Sequence, residues 1–509
     1  MASSTDWART IGTTLVLHLK EEELATFRKY KVFALLEGSG RVAMNQGGRG
    51  FDWEVRYRNQ PVTSNTGESA RVFARHNLWQ RANLPYRGYS VTDMVTKREM
   101  LENRGVSQLI DVAGKMASRF YGEPSKHLTT VAVTGTNGKT SVTYMAASAL
   151  TYLKRSAGII GTLGQGFLTD LLDSGLTTPD AVVIQSSLKS MLDAGADIAL
   201  IEASSHGLVQ GRLTGTTIQA GVFTNVTRDH LDYHHSMEAY AESKFKLFRD
   251  FASSVQIYNA DDSLLSSQSD IWGPDSVGIS FTDESADVLI GMISVAPLAF
   301  TLRTPWGDAQ IDSLLAGRFN AFNLTVAIVA TASMGVPLAE VIAVTNQLKP
   351  VPGRLELMEM ASDITVVIDY AHTPDALHRA ITAVSEAQHQ GCIWVLFGCG
   401  GDRDRGKRSE MGAVAARLAD RIVVTSDNPR GEPPEAIIQD ILAGCEGAAP
   451  LVEVDRATAI SLVIAEAAAG DTVLIAGKGH ETYQEIAGAR IPFSDVQCAN
   501  HYLAQRRAA

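Results

Sequence analysis

From about residue 109, short apolar runs of β character alternate with helix-compatible stretches. The runs Thr130–Val133, Ile198–Glu202, Gly221–Asn225 and Val255–Asn259 are separated by segments such as Ala181–Ala194 and Met237–Phe248, which carry helical periodicity. This alternation predicts an α/β fold with a parallel sheet covered on both faces. Pro350, Pro352 and Gly353 then break the pattern as a hinge-like linker would. Beyond about residue 355 the alternation restarts. Strands are predicted at Thr365–Ile368, Ile393–Phe397, Arg421–Thr425 and Thr472–Ile475, with Ala-rich helices between them. That pattern predicts a second, smaller domain, doubly wound and Rossmann-like. The first 108 residues follow neither rhythm. They are polar and Arg-rich and hold three of the six tryptophans (Trp7, Trp53, Trp79). Phe51–Asn59 alternates like a strand, and Gly38–Gly50, with five glycines, reads as loop. The expected division is therefore 1–108 (an atypical α+β region), 109–350 and 351–509.

Composition narrows the class. A chain of 509 residues suggests about three domains, and 45% hydrophobic content is ample for their cores. The net charge of −11 argues against a nucleic-acid binder. The charge is uneven, with 16 Lys/Arg against 11 Asp/Glu in residues 1–108. The four cysteines (Cys392, Cys399, Cys445, Cys498) form no Cys-x-x-Cys pair, so neither a zinc site nor a disulfide scaffold is favoured and a reducing cytoplasm is expected. No apolar run reaches the roughly 18 residues that a membrane span needs, and the first residues lack a signal-peptide layout.

The strongest local signal is Val131–Ser141, Val-Ala-Val-Thr-Gly-Thr-Asn-Gly-Lys-Thr-Ser. A β run enters a Gly-rich turn and leaves into a helix-compatible stretch, Val142–Leu150. Backbone N–H groups of such a turn, with the helix N-terminus behind them, suit a phosphate. Gly135, Thr136, Asn137 and Gly138 would form the cradle. Lys139 would reach the β- and γ-phosphates of a nucleotide, and the Thr140 hydroxyl would meet Mg²⁺. Only two residues separate Gly135 from Gly138, where the general P-loop has four, so a subfamily is indicated. The two following β runs end in polar residues, Glu-Ala-Ser-Ser-His-Gly and Val-Thr-Arg-Asp-His-Leu-Asp-Tyr-His. Ligands gather at the carboxyl ends of strands in open α/β sheets. Glu202 is thus a candidate Mg²⁺ ligand and His230 a second-metal ligand among the clustered His206, His230, His234 and His235.

Eight segments occur in order: Thr134–Thr140 (TGTNGKT), Glu202–Arg212 (EASSHGLVQGR), Thr224–His234 (TNVTRDHLDYH), Gly353–Glu356 (GRLE), Asp369–Pro374 (DYAHTP), Gly398–Arg408 (GCGGDRDRGKR), Asp427–Arg430 (DNPR) and Gly477–Glu481 (GKGHE). Together they resemble the Mur ligases, of the type that adds the third residue of the peptidoglycan peptide. The resemblance covers roughly residues 108–509.

It implies an ATP-dependent amide ligase. ATP would phosphorylate the D-glutamyl carboxylate of UDP-MurNAc-L-Ala-D-Glu, and the amine of a diamino acid would attack the acyl phosphate. Lys139, two Mg²⁺ ions and Arg354 would neutralise the gathering anions, Arg354 being delivered from the hinge. Lys244, in Ala-Tyr-Ala-Glu-Ser-Lys, would by similarity be carbamylated and ligate Mg²⁺ together with Thr140, Glu202 and His230. Asn320 and Asn323 resemble positions that hold the nucleotide from the central domain; helix capping is the alternative for both. Asp369 and His372 resemble positions that reach it from the C-terminal domain. Thr177, Thr178, Ser204, Gln210 and Arg212 match positions that hold the muramoyl peptide. Meso-diaminopimelate differs from lysine by a distal carboxylate, which the planar fork of Arg430 suits. Arg403, Asp427, Asn428, Gly477 and Glu481 complete that pocket by similarity, with Glu481 placed for the distal ammonium.

The resemblance fails over residues 1–108, where none of the family's uridine-gripping motifs occurs. A divergent grip, a fused foreign module and a misassembled reading frame all stay open, and no uridine contact is named. The expected partners are small molecules alone, without nucleic acid or membrane, and the expected state is a monomer. The competing readings are a lysine-adding or other Mur-type ligase, a folylpolyglutamate synthetase relative, and a catalytically idle binding or assembly module.

Overall fold

In the computed structural model, residues 114–508 are described, apart from 252, 359–362 and 388–390, together with the backbone of four strands nearer the N-terminus. The chain separates into two compact units. One comprises residues 1–132, 156–219 and 246–253, and the other 133–155, 220–245 and 254–509.

The smaller unit opens with an antiparallel meander of β1 (Thr14–Val16), β2 (Arg41–Gly47), β3 (Gly50–Tyr57) and β4 (Gln60–Pro61). Gly38–Gly50 was expected as loop, yet seven of its residues form β2. The glycines sit only at the flanks of that strand. Arg41–Gln46 contains none, and it pairs along its length with the alternating β3, Met44 opposite Trp53 and Gly47 opposite Gly50. The rest of residues 1–108 lies outside the described residues.

Further along, β5 (Thr129–Thr134) leads into the Gly-rich turn. Then β6 (Ala157–Gly161) pairs parallel with β9 (Ile198–Glu202), and β7 (Gly164–Phe167) and β8 (Asp170–Leu172) extend it antiparallel. Helix Ala181–Asp193 begins where Asp180 accepts hydrogen bonds from the Val182 and Val183 N–H groups at 2.9 and 3.1 Å, the usual role of an acidic N-cap. It buries Ala181, Ile184, Leu188 and Met191, spaced three or four apart on one face.

The larger unit holds the helix that leaves the Gly-rich turn (α1, Lys139–Tyr152) and the parallel strands β10 (Ala220–Phe223), β11 (Val255–Asn259), β12 (Ser276–Ser280) and β13 (Val288–Val295). Two more strands, β14 (Leu298–Thr304) and β15 (Gly307–Ser313), continue antiparallel. These edges depart from the all-parallel expectation. Leu298, Phe300, Leu302 and Thr304 are buried while Thr301 and Arg303 are exposed. That period of two belongs to a sheet with one wet face, which antiparallel strands tolerate and parallel ones rarely do.

After Gly353 a second sheet runs in the order β16 (Glu356–Leu357), β17 (Thr365–Asp369), β21 (Thr472–Ala476), β18 (Ile393–Phe397), β19 (Arg421–Val424), β20 (Leu451–Val452), parallel from β17 onward. The interiors of its central strands are continuous apolar runs because both faces are covered. Val367, Val395, Phe397, Val424 and Leu474 point into one core with Leu377, Ile381, Met411, Ile437 and Ile441 from the helices Pro374–Ala387, Gly406–Leu418 and Pro434–Leu442. The intervening Val366, Ile368, Leu396, Val423 and Ile475 point into the other, against Ile460, Val463 and Leu503 of helices Arg456–Glu466 and Asp495–Ala508. Each buried aliphatic contributes about 1.5–3 kcal/mol. A fully buried pair pins the second layer: Arg456 Nε and Nη2 donate to Asp495 at 2.8 and 2.7 Å. The fold is the α/β type expected, with a mainly parallel central sheet and a second doubly wound one.

Candidate active site

The Gly-rich turn is built by close backbone approach. Gly135 has φ +142, and a Cβ there would run into the Thr224 hydroxyl; Gly138 has φ +90, and a Cβ there would lie 2.6 Å from Asn323 Oδ1. Thr224 and Asn225, just past β10, hold the turn. The Thr136 N–H donates to Asn225 O at 2.9 Å and the Asn137 N–H to Asn225 Oδ1 at 3.0 Å, while the Thr224 hydroxyl donates to Asn137 O at 2.5 Å. Neither Asn320 nor Asn323 caps a helix. Gly317 stands at the N-cap of Arg318–Ser333, and Asn320 Nδ2 reaches back to Ala316 O at 2.8 Å. Gly135→Ala is expected to lower the melting temperature by the equivalent of about 1–3 kcal/mol and to abolish nucleotide binding, because the side chain needs both a strained backbone and the space of Thr224. Differential scanning fluorimetry with and without ATP measures both effects.

Two lysines converge on one carbonyl. Lys139 Nζ donates to Gly135 O at 2.7 Å and Thr136 O at 2.9 Å, and Lys244 Nζ donates to the same Gly135 O at 2.8 Å. Lys244 is buried and lies over the Tyr240 ring, 4.5 Å from its centroid. Burial pushes its ammonium well below the ordinary lysine value. Lys139 pushes the same way and Asp229 opposes. His230 has φ +55, a left-handed backbone unusual for a side-chain-bearing residue; its ring centroid lies 6.2 Å from that of Tyr240, and its Nε2 lies 3.4 Å from Asp229 Oδ2. Burial and the neighbouring Lys244 push the His234 imidazolium down to about 4. Burial works against charge on Asp229, but Lys407, His230 and His372 outweigh it and hold the carboxyl far below the usual range. Lys407 Nζ lies 3.4 Å from Asp229 Oδ1.

Residues beyond Gly353 meet this same region. Asn137 Nδ2 donates to Asp375 Oδ2 at 2.8 Å, and His372 Nε2 lies 3.9 Å from Asp229 Oδ2. Burial and Lys407 push His372 down to about 4. Asp369 spends both oxygens on backbone, accepting from Leu355 N and Ala371 N at 2.7 Å each, and so fixes the segment carrying Arg354. The Arg354 guanidinium lies over Tyr370, 4.4 Å from the ring centroid, and its buried Nε has no hydrogen-bond partner among the described residues. A buried donor without an acceptor is costly. A cavity of about 550 Å³ has Asn320 and Arg354 in a wall otherwise formed by residues such as Leu355, Val367 and Ala383.

The Asp427–Arg430 and Gly477–Glu481 segments form one cluster. Arg430 has φ +52. Its guanidinium donates to Gly401 O at 2.8 Å and Glu485 Oε2 at 3.2 Å. A Cβ on Gly400 would lie 2.8 Å from Arg430 Nη1 and 3.7 Å from Arg403 Cγ, so Gly400 admits both arginines. Asn428 Nδ2 donates to Glu481 Oε2 at 2.9 Å. Gly477, φ +119, keeps the loop open beside Asp427.

In the smaller unit the remaining candidates form a connected set. Glu202 is buried at the end of β9. Its carboxylate accepts from Thr162 N at 2.8 Å and from the Thr162 hydroxyl at 3.1 Å, and that hydroxyl lies 3.1 Å from Thr177 Oγ1. The Thr178 hydroxyl donates to Glu202 O at 2.6 Å and accepts from Ser204 N at 2.9 Å. Arg212 donates to Thr178 O at 2.5 Å and, through Nε, to Gln210 Oε1 at 2.9 Å.

A domain-family model described as the Mur ligase middle domain matches residues 133–331, and one described as the Mur ligase, glutamate ligase domain matches residues 353–479. The UDP-N-acetylmuramoyl-L-alanyl-D-glutamate--2,6-diaminopimelate ligase of Chromobacterium violaceum is 45% identical over 405 residues, covering 79% of this chain and 82% of the relative. The chain belongs to the Mur ligase family. The ligase of the same name from Pseudomonas aeruginosa is also 45% identical over 405 residues, with 78% and 82% covered. Among solved structures, one titled as that ligase superposes with a TM-score of 0.55 at 37% identity over 78% of this chain and 83% of that one. A folylpolyglutamate synthase of Mycobacterium tuberculosis has a TM-score of 0.58 at 19% identity, covering 73% of this chain and 92% of that one, and shares the Mur ligase fold alone.

Four residues of this Mur ligase escaped the sequence reading although each lies inside a quoted motif. Asp229 and Lys407 gather charge about His372. Tyr370 links Arg354 to Glu481, its hydroxyl donating to Glu481 Oε1 at 3.3 Å. Lys478 lies buried among Asp427, Asn428 and Glu481. Among the described residues, no helix is long and apolar enough to cross a membrane, and the four cysteines are unbridged.

Proposed function

We propose that this chain joins meso-2,6-diaminopimelate to UDP-N-acetylmuramoyl-L-alanyl-D-glutamate at the expense of ATP, in the synthesis of peptidoglycan precursors. A D-glutamyl carboxylate oxygen attacks the γ-phosphorus and ADP departs. The amine of diaminopimelate then attacks the acyl-phosphate carbon, inorganic phosphate leaves with the C–O electrons, and the amine gives up a proton. The turn Gly135–Thr140 holds the triphosphate, and Lys139 turns from its own carbonyls toward the β- and γ-phosphates. Arg354, with a buried N–H still to be satisfied, takes the transferring phosphoryl group. The cavity beside Asn320 suits the flat adenine ring, with Asn323, Asp369 and His372 around the nucleotide. Thr177, Thr178, Ser204, Gln210 and Arg212 hold the muramoyl peptide.

Among the described residues no group of three or more His, Cys, Asp and Glu forms a ready-made metal cage. The donors present fit Mg²⁺ nonetheless, since that ion binds through one or two protein oxygens plus phosphates. Thr140, His230 and a carbamate on Lys244, with Glu202 as the further ligand the resemblance implies, would hold two ions, which supply charge neutralisation for the phosphates. The buried, charge-averse amine of Lys244 suits carbamylation, which requires a neutral nitrogen. Residues 109–350 would form the ATP-binding domain and 351–509 the diamino-acid domain of a cytoplasmic monomer.

The observation that carries this reading is the cluster of Arg430, Arg403, Asn428 and Glu481 about Gly400 and Gly477, which offers a guanidinium fork to a distal carboxylate and a carboxylate to a distal ammonium. Purified protein with ATP, Mg²⁺ and UDP-MurNAc-L-Ala-D-Glu should release phosphate with diaminopimelate and at least about tenfold more slowly with lysine, the margin a missing charged contact gives. Equal rates would reverse the specificity, and no release with either would favour an idle binding module.

A further inference from the structure

Lys478 is fully buried, an unusual place for an ammonium. The backbone turns it inward. It lies between two left-handed glycines, Gly477 at φ +119 and Gly479 at φ +52, and a Cβ on Gly479 would lie 2.7 Å from Gly353 O and 2.8 Å from Tyr370 Cβ. Lys478 Nζ donates to Glu481 Oε2 at 2.9 Å, to Asn428 Oδ1 at 3.0 Å and to Asp427 Oδ1 at 3.4 Å. Those three acceptors use its three N–H bonds.

The arrangement decides which way Asn428 faces. Its Oδ1 accepts from Lys478 and, at 2.9 Å, from Glu485 N, so its Nδ2 is left to face Glu481. Glu481 in turn has Oε2 on Lys478 and Asn428 and Oε1 on the Tyr370 hydroxyl. Lys478 is the cation that answers Asp427 and Glu481, as Arg430 answers Glu485 and Arg456 answers Asp495. Without Lys478 those two carboxylates carry uncompensated negative charge, which suits a lone alkylammonium better than a distal group that also carries a carboxylate.

We propose that Lys478 is a positioning and specificity-determining residue for the diamino acid: it orients Asn428 and Glu481 and balances the pocket for a distal ammonium–carboxylate pair over a distal ammonium alone. This inference rests on the diaminopimelate-ligase reading above. The test is steady-state kinetics of Lys478→Met with diaminopimelate and with lysine. The KM for diaminopimelate should rise about tenfold or more, and the diaminopimelate-to-lysine ratio of kcat/KM should fall by about tenfold or more. The KM values for ATP and for the UDP-linked substrate should stay within about twofold, since the hydrogen bonds of Lys478 go to Asp427, Asn428 and Glu481 and to none of the residues proposed to hold either. Adding Asp427→Asn to Lys478→Met restores the charge balance and should recover part of the ratio. If Lys478→Met fails to fold, Lys478→Gln, which keeps a donor for Asn428 without the charge, reads the same ratio. An unaltered ratio, or a uniform rise of all three KM values, overturns the proposal. Wild-type protein inactive with diaminopimelate would instead overturn the functional reading itself.

Discussion

Arg430→Ala should raise the KM for diaminopimelate until kcat/KM falls by about 10²–10³-fold, the roughly 3–4 kcal/mol that truncating one partner of a desolvated charge pair costs. The side chain is largely sheltered, about one-fifth exposed, and its fork is already aligned by Gly401 O and Glu485. A distal carboxylate arriving at this fork meets donors fixed in a plane. The ordering cost of the contact is therefore small. Arg430→Lys should recover little, because a point ammonium cannot reproduce two parallel N–H bonds. Turnover of lysine, which brings no distal carboxylate, should change by less than about threefold, as expected where no contact is lost. Initial rates of phosphate release across diaminopimelate and lysine concentrations measure all of this. An unchanged KM for diaminopimelate in Arg430→Ala would remove the basis for diacid selection.

Much of this architecture was legible because it is local or periodic. The parallel strands show as apolar runs buried on both faces, and the Gly-rich turn shows as a β run followed by Gly135, Gly138 and Lys139. The strand predicted at Val255–Asn259 is the strand observed. What stayed hidden depends on contacts between residues far apart in sequence. Asp229 draws its counter-charge from Lys407, across 178 positions, and Asn137 finds Asp375 across 238. Lys478 is one of three polar residues in Gly-Lys-Gly-His-Glu. Its meaning comes from burial, which that short motif does not encode. The strand β2 was hidden for another reason: flanking glycines dominate the composition of Gly38–Gly50, while pairing with β3 decides the conformation. Asp369 shows the converse. Its motif points to the nucleotide, yet both its oxygens are taken by backbone N–H groups. Those bonds hold Leu355, and with it the neighbouring Arg354, in place.

Lys244→Met should give a protein that melts at a higher temperature and turns over about 10²–10³-fold more slowly, the usual loss when a charged element is removed from a transition-state site. The two effects share one cause. A primary amine enclosed by the fold, resting on Gly135 O and facing Lys139, is held there against its preference for the charged form. Desolvation and like-charge repulsion destabilise the native state, and an apolar chain of similar volume over the Tyr240 ring removes both. A residue that served stability would behave oppositely, losing melting temperature with its charge. The same enclosure favours the neutral amine, the form that adds to CO₂, and that addition, which the family resemblance implies, would put a carboxylate-like anion beside the phosphate turn. Wild-type protein depleted of CO₂ should accordingly lose activity and regain it with bicarbonate, whereas Lys244→Met should respond to neither. A variant that is both slower and less stable, with wild-type activity indifferent to bicarbonate, would leave Lys244 as a packing residue.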